Sequence, residues 1–280
     1  MRVVRRRSAR TRAAEADPTY HARMIDPGAP TTRALVVLPA LNEGPSVGAV
    51  VRDVKANLPR YDVLVVDDGS SDNTAENAAA AGALVCSLPF NMGVGGAMRT
   101  AYKYADRHGY DVVVQVDADG QHDPRYVEEL VSKLSDADLV IGARFAGVGE
   151  YQTAFFRRLA MRILAFTLSR LARRPLTDVT SGFRAAGPRC IKLFALHYPA
   201  EYLGDTVEST VIALRTGCAV EQLPVGMRLR AHGAPSQSRT KAALYLARAV
   251  AALGLALVRQ WPLPEIPGEV ELPESQTEVS

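Results

Sequence analysis

From Ala34 onward, short runs of aliphatic and β-branched residues recur at Leu35–Leu38, Val63–Val66, Leu84–Leu88, Val112–Val116 and Leu139–Ile141. Each run is nearly free of polar alternation, as a strand covered on both faces must be. Between them lie helix-compatible stretches, roughly 46–58, 72–81, 94–107 and 124–134. Strands and helices alternate this way when right-handed crossovers build a mostly parallel sheet. The fold class is therefore α/β, with a mostly parallel central sheet flanked by helices. In such sheets, ligands bind beyond the carboxyl ends of the strands.

The rhythm changes after residue 150. Ala154–Leu171 reads as a long helix with the basic pair Arg157 and Arg158 near its start. A loop at 175–187, a helix near 205–216, a strand near 219–225 and a helix over about 240–259 follow. Residues 262–280, with four Pro and five Glu and no base, read as a disordered acidic tail. Residues 1–33, with eight Arg against three acids, read as a disordered basic arm. The catalytic unit expected from this division is 34–240, followed by an amphipathic helix over 241–261.

Composition narrows the class. With 48% hydrophobic and 22% charged residues, the chain is too apolar for a disordered protein. The net charge of +3 is the sum of a +5 arm, a +3 body and a −5 tail. Arg outnumbers Lys 28 to 5, and the guanidinium fork suits phosphate oxygens. Three scattered cysteines, Cys86, Cys190 and Cys218, without a CxxC pair, argue against a disulfide framework or a zinc site and for a reducing compartment. No run of eighteen clean apolar residues suggests a membrane span, and the Arg-rich start lacks the apolar stretch of a secretory signal.

The chemistry gathers where strands end. The second run leads into Asp67-Asp68-Gly69-Ser70, the fourth into Asp117-Ala118-Asp119-Gly120-Gln121-His122-Asp123-Pro124, and the first into Pro39-Ala40-Leu41-Asn42-Glu43. In an extended segment, residues two apart point the same way, which would aim Asp117, Asp119 and Gln121 at one site with Ala118 turned away. Two carboxylates and an amide oxygen are hard ligands suited to Mg2+ or Mn2+. Gathering anions in an apolar fold is costly without a cation. Each acid also has a plainer reading. Asp123 before Pro124 is a helix N-cap, and Asp68-Gly69 is turn chemistry. The segment Asn91-Met92-Gly93-Val94-Gly95-Gly96-Ala97 does not fit the dinucleotide fingerprint, since Met98 stands where the third Gly belongs. Close packing of a helix on backbone, or passage of the chain near a nucleotide, are its two readings.

Together with Ile141-Gly142-Ala143-Arg144, Asp178-Val179-Thr180-Ser181-Gly182-Phe183-Arg184 and Arg228-Leu229-Arg230-Ala231-His232-Gly233, these segments resemble family 2 glycosyltransferases of the GT-A fold. The resemblance is strongest to the dolichyl- or polyprenyl-phosphate mannose synthase branch. It spans about 34–240 and rests on seven motifs in order. It implies a nucleotide-diphosphate sugar donor, GDP-mannose or a UDP-hexose, and a polyprenyl phosphate acceptor. It also implies that Pro39, Leu41, Glu43 and Asp68 line the nucleoside pocket, with Val66 and Ala118 among the donor-binding positions. Asp117 and Asp119 would hold metal and diphosphate, with Gln121 in the metal shell. Arg144, Arg157 or Arg158, and Arg230 would contact phosphates. Two departures stand out: Leu41 replaces a common aromatic residue, and Gly233-Ala234-Pro235-Ser236-Gln237 replaces a usual Gly-x-Ser-Lys.

The implied reaction is a single inverting displacement in which Asp119 and Arg144 take part. A polyprenyl phosphate is largely ionised, since its second pKa lies near ~6, and needs no strong base. A sugar hydroxyl acceptor would need one, and Asp205 or Glu208 are the candidates; both residues equally suit a helix cap and first turn. Lys241, Arg248 and Arg259 nearly align on an otherwise apolar helix, which suits either an anionic membrane surface or a core helix with an exposed stripe. The expected location is cytoplasmic, peripheral at the inner face of the membrane. The alternatives are a same-fold transferase acting on a sugar hydroxyl of a glycan or glycolipid, and a non-catalytic protein tethered to nucleic acid by its Arg-rich arm. The second leaves the strand-end acids unexplained, and no nucleic acid is expected.

Overall fold

The computed structural model describes residues 32–144, 155–199 and 205–228. Seven strands form one sheet: β1 (Ala34–Ala40), β2 (Asp62–Asp67), β3 (Leu84–Ser87), β4 (Val112–Gln115), β5 (Leu139–Arg144), β6 (Arg184–Ala186) and β7 (Val220–Val225). Their order across the sheet is β3-β2-β1-β4-β6-β5-β7. Every pairing is parallel except those of β6, which runs antiparallel to both β4 and β5.

The helices are α1 (Gly44–Asn57), α2 (Thr74–Ala80), α3 (Gly93–Arg107), α4 (Val127–Ser132), α5 (Phe155–Ala172), α6 (Pro188–His197) and α7 (Asp205–Arg215). They cover both faces of the sheet, which is why the strands read as unbroken apolar runs. Along β1, Leu35 and Val37 join a core with Ala97, Met98, Ala101 and Tyr102 of α3 and with α5, α6 and α7. Val36 and Leu38 face the opposite core with Val47, Val51 and Val54 of α1 and with α4. Alternate residues thus enter opposite cores, and each is buried. On α3, Ala97, Ala101 and Ala105 are all fully buried, a stripe of small side chains at helical spacing. Beside it, the Tyr102 ring packs 5.1 Å from Phe194 and 5.3 Å from Tyr198.

The expected strands and helices up to β5 are present with small shifts of boundary. The expected loop at 175–187 ends in β6, a strand of 3 residues, and α6 follows where no helix was anticipated. Three residues are too few to show a periodicity. The basic arm, residues 145–154, Arg230, the helix expected at 240–259 and the acidic tail lie outside the described residues. Among the described residues no helix is long and apolar enough to cross a membrane.

Candidate active site at the carboxyl edge of the sheet

The order β2-β1-β4 makes the three acid-bearing strand ends neighbours. The loops after β1 and β2 are tied to one another by polar groups. Asn42 takes a left-handed conformation, φ 55°, which Asn tolerates better than most residues. Its backbone N–H donates to Ser70 Oγ and its Oδ1 accepts the Ser71 N–H, each at 2.9 Å. Asp72 Oδ2 accepts the Gly44 N–H at 3.0 Å, and Glu43 N–H donates to Thr74 Oγ1 at 2.9 Å. The Glu43 carboxylate accepts the Ser46 hydroxyl at 2.7 Å.

Asp68 sits at the bottom of this loop cluster, with Oδ1 accepting the Met92 N–H at 2.7 Å. Burial pushes its carboxyl above the usual range, against the lowering pull of the Met92 and Gly93 backbone donors. Gly69 has φ +75°, and a Cβ there would stand 2.8 Å from the Phe90 carbonyl carbon. Only glycine lets this turn close on the loop before α3. Around Asp68 the side chains of Leu41, Phe90 and Met92 are exposed. Pro39 is half-buried at the end of β1. The side chains of Val66 and Ala118 are packed into the two cores, which leaves the backbone of these positions as what a donor could meet.

The fourth strand ends at Gln115, and residues 118–119 form a turn. The premise of extended alternation therefore fails, and the two carboxylates have different surroundings. Asp117 is 41% exposed, with Gln115 Nε2 at 3.4 Å and His122 Nε2 at 3.5 Å. Asp119 is buried and its Oδ1 accepts the Gln121 N–H at 2.9 Å. Gly182 lies against Asp117, where a Cβ would come within 3.2 Å of Oδ1. His122 is buried and stacked on Phe183, with ring centroids 4.8 Å apart. Asp123 caps the following 3-10 turn, as Asp before Pro suggests, and accepts the Arg125 N–H at 3.1 Å. Its pKa falls to about 2, chiefly through the Arg125 guanidinium and further through Arg228, whose Nη2 lies 2.8 Å away. The segment after β7 docks here too, since Arg228 N–H donates to the Gln121 carbonyl at 2.9 Å.

Does this edge suit a divalent cation? Among the described residues no three His, Cys, Asp or Glu side chains converge on an ion. The open Asp117 carboxylate, with only long contacts at both oxygens, nevertheless offers hard donors beside Asp119. That set fits Mg2+ or Mn2+, which are commonly held by one or two carboxylates together with substrate phosphates.

Arg144 ends β5 on the other side of β6. Its Nε donates to Asp178 Oδ2 at 2.6 Å, and its Nη2 donates to Asp178 Oδ1 and to Thr180 Oγ1, each at 2.9 Å. Burial pushes the Asp178 carboxyl up, but the Arg144 guanidinium outweighs it and holds the pKa below the usual range. Arg157 and Arg158 fall in the first turn of α5, with side chains outside the described residues. Asp205 and Glu208 occupy the first turn of α7, as the helix-start reading has it. Asp205 is buried and its Oδ2 accepts the Tyr198 hydroxyl at 3.4 Å. Burial raises its pKa, opposed by the nearby Arg184 charge and assisted by Asp117. Asp178, Thr180, Gly182, His122 and Arg184 had no role assigned from sequence, although all lie inside the motifs quoted above.

Residues 35–189 match the family described as Glycosyl transferase family 2. A polyprenol monophosphomannose synthase of Mycolicibacterium smegmatis is 31% identical over 75% of this chain and 82% of its own length. An undecaprenyl-phosphate mannosyltransferase of Micrococcus luteus is 32% identical over 69% of this chain and 82% of its own. Among solved structures, glucosyl-3-phosphoglycerate synthase from Mycobacterium tuberculosis, in complex with Mn2+, UDP and phosphoglyceric acid, superposes with a TM-score of 0.64. It is 23% identical, with 81% of this chain and 78% of that one covered, a likeness of fold. The architecture is the GT-A fold.

Proposed function

The chain belongs to glycosyl transferase family 2, and from that premise we propose that it moves a hexosyl group, with inversion, from a nucleotide-diphosphate sugar to a polyprenyl phosphate. The observation that carries this reading is a facing of opposite charges at one sheet edge. Arg144, clamped by Asp178, feels the charge of Asp117; Arg144 ends β5 and Asp117 follows β4, with only β6 between these strands. Among the described residues, Nε and Nη2 of Arg144 are taken up by Asp178 and Thr180 and Nη1 has no bond, which suits it to meet a phosphate oxygen. The names of the two relatives above support the acceptor class.

In this scheme, Asp68 recognises the nucleoside with Pro39, Leu41 and Glu43 around it. Asp117, Asp119 and Gln121 hold Mg2+ or Mn2+ together with the diphosphate. When bound, the cation supplies Lewis-acid neutralisation of charge on the departing diphosphate. Arg144 orients the acceptor phosphate with Arg157 or Arg158 and Arg230. An acceptor oxygen attacks the anomeric carbon, and the carbon–oxygen bond to the diphosphate breaks with its electron pair on the leaving group. No residue has to remove a proton, since the acceptor is already an anion. Such an acceptor places the work at a membrane surface, and the segment 241–261, with its Lys241, Arg248 and Arg259, is the part of the sequence suited to attach there.

The test is transfer by the full chain from GDP-mannose and from a panel of UDP-hexoses to undecaprenyl phosphate with Mn2+, read as a labelled lipid product. Product formation that stops with EDTA or with Asp119→Asn is the expected result; no lipid product from any donor sinks the reading. A second reading has one observation behind it. Asp205 is a buried carboxyl with a raised pKa on the side of the site that feels Asp117, which suits a base for a sugar hydroxyl acceptor. Turnover of a glycan acceptor that Asp205→Asn abolishes would favour it.

A further inference from the structure

Among the described residues, Arg184 is the largest side chain that is fully buried, at 2% exposure. Its Nε donates to the Ser181 carbonyl at 2.7 Å and its Nη2 to the Val179 carbonyl at 3.0 Å. On the opposite side, Nη1 donates to Ser209 Oγ at 3.0 Å and to Thr210 Oγ1 at 3.2 Å, both on α7. These partners are neutral oxygens. Asp205 acts on the guanidinium electrostatically rather than as a hydrogen-bonded ion pair. A buried charge satisfied in this way is costly, and apolar residues of the same volume would stabilise a core more simply. Fold stability alone does not account for it.

What Arg184 grips supplies the reason. The segment 178–183 touches both halves of the site, with Asp178 and Thr180 holding Arg144 and Gly182 lying against Asp117. Two carbonyls of that segment and two hydroxyls of α7 all converge on one rigid, planar donor set. We propose that Arg184 is a positioning residue: it locks the 178–183 segment to α7 and so fixes Arg144, and the acceptor phosphate it meets, relative to Asp117. The inference rests on the acceptor assignment made above. The loops around Asp68 hold no described bond to Arg184, so recognition of the nucleoside depends on it less than the placing of Arg144 against Asp117 does.

The experiment compares wild type, Arg184→Met and Arg184→Lys as full chains. It reads affinity for a short-chain prenyl monophosphate by calorimetry, and KM for donor and acceptor in the transfer assay. Misplacement by about 1 Å costs up to ~100-fold in rate. The expected result for Arg184→Met is prenyl phosphate affinity about tenfold weaker, acceptor KM raised in parallel, kcat lowered and donor KM changed by less than acceptor KM. Arg184→Lys, which keeps the charge but not the fork, recovers part of the loss. A purely structural role would lower the active fraction and leave both KM values and the affinity of the folded protein alone, and that outcome overturns the proposal. Should Arg184→Met not fold, Thr210→Val removes one of the four bonds and retains the guanidinium. A two- to threefold rise in acceptor KM is then expected, and an unchanged value refutes the idea. Wild type that neither binds prenyl phosphate nor transfers sugar to it defeats the functional reading itself, whereas equal binding by wild type and variants defeats only the role of Arg184.

Discussion

His122 holds Asp117 from two directions: its Nδ1 accepts the Asp117 backbone N–H at 3.0 Å, and its Nε2 lies 3.5 Å from Asp117 Oδ2. Because Nδ1 is the acceptor, the proton of the neutral ring belongs on Nε2, facing the carboxylate. The stack on Phe183 keeps the ring in plane. One side chain thereby sets both the backbone and the carboxylate of an acid left partly open at the site.

Replacing His122 with Phe keeps the flat ring against Phe183 but removes both nitrogens. The Asp117 N–H is left without its acceptor, at a cost of about 1–3 kcal/mol. The expected result is a folded protein with a lower melting temperature and at least a tenfold higher Mn2+ concentration for half-maximal transfer, since supporting partners of metal ligands typically matter by ~10–100-fold. Titrating Mn2+ into the transfer assay measures it; an unchanged midpoint contradicts the role given to His122.

Asp123 gives a pH dependence of definite sign. Its folded pKa of about 2 lies below the ordinary value of 3.8. A depressed carboxyl contributes stability that is complete above the unfolded pKa and is lost as pH falls through the folded one. Asp123→Asn should therefore lower the melting temperature at pH 7, and its deficit against wild type should shrink between about pH 4 and pH 2. Parallel melting curves across that window would contradict the pairing with Arg125 and Arg228.

Asp205 carries the opposite sign. Burial raises its pKa, so its contribution favours folding below the unfolded value and turns against folding as pH rises through the folded one. Asp205→Asn retains an oxygen to accept the Tyr198 hydroxyl and removes the buried charge. It should raise the melting temperature at pH 8, by about 2–4 °C for each kcal/mol relieved in a chain of this size. Calorimetric scans at pH 5 and pH 8 test this: the gain should be larger at the higher pH, and an equal or reversed effect refutes it.

Gly69 is the tightest point of the nucleoside loops. Gly69→Ala forces a left-handed residue with a Cβ into the backbone of Phe90 and Asn91. The left-handed conformation alone costs about 1–2 kcal/mol. The turn should open and carry Asp68 away from the Met92 N–H, lowering stability and weakening the stabilisation conferred by added GDP or UDP in a thermal-shift assay. A variant with wild-type response to nucleotide removes Asp68 from the donor site.

The strand ends were legible because apolar runs buried on both faces are unmistakable, and Asp68, Asp117 and Asp119 follow such runs directly. The connections between loops were not legible. Asn42 to Ser71, Asp178 to Arg144 and Arg184 to Thr210 join residues 29, 34 and 26 positions apart, and no local periodicity encodes them. The alternation argument for pairing Asp117 with Asp119 does not apply, for a related reason. Alternation holds only while the backbone stays extended, and here the chain turns as soon as the strand ends. Val66 and Ala118 show the same limit, since a motif position reveals nothing about which way its side chain is packed.

The short strand β6 sets how the two flanks of the proposed site are kept apart. Because β6 runs against its neighbours, the loop that enters it arrives at the same edge where β4 and β5 leave. The loops proposed for the nucleoside belong to β1, β2 and β3 on one flank, and Arg144, proposed for the acceptor, belongs to β5 on the other, joined through three residues of backbone pairing. The sheet is thus divided into two panels along a narrow seam. Sequence change on either panel can alter which donor or which acceptor is admitted without re-registering the strands of the other, so a single scaffold of this kind can exchange one specificity while conserving its counterpart.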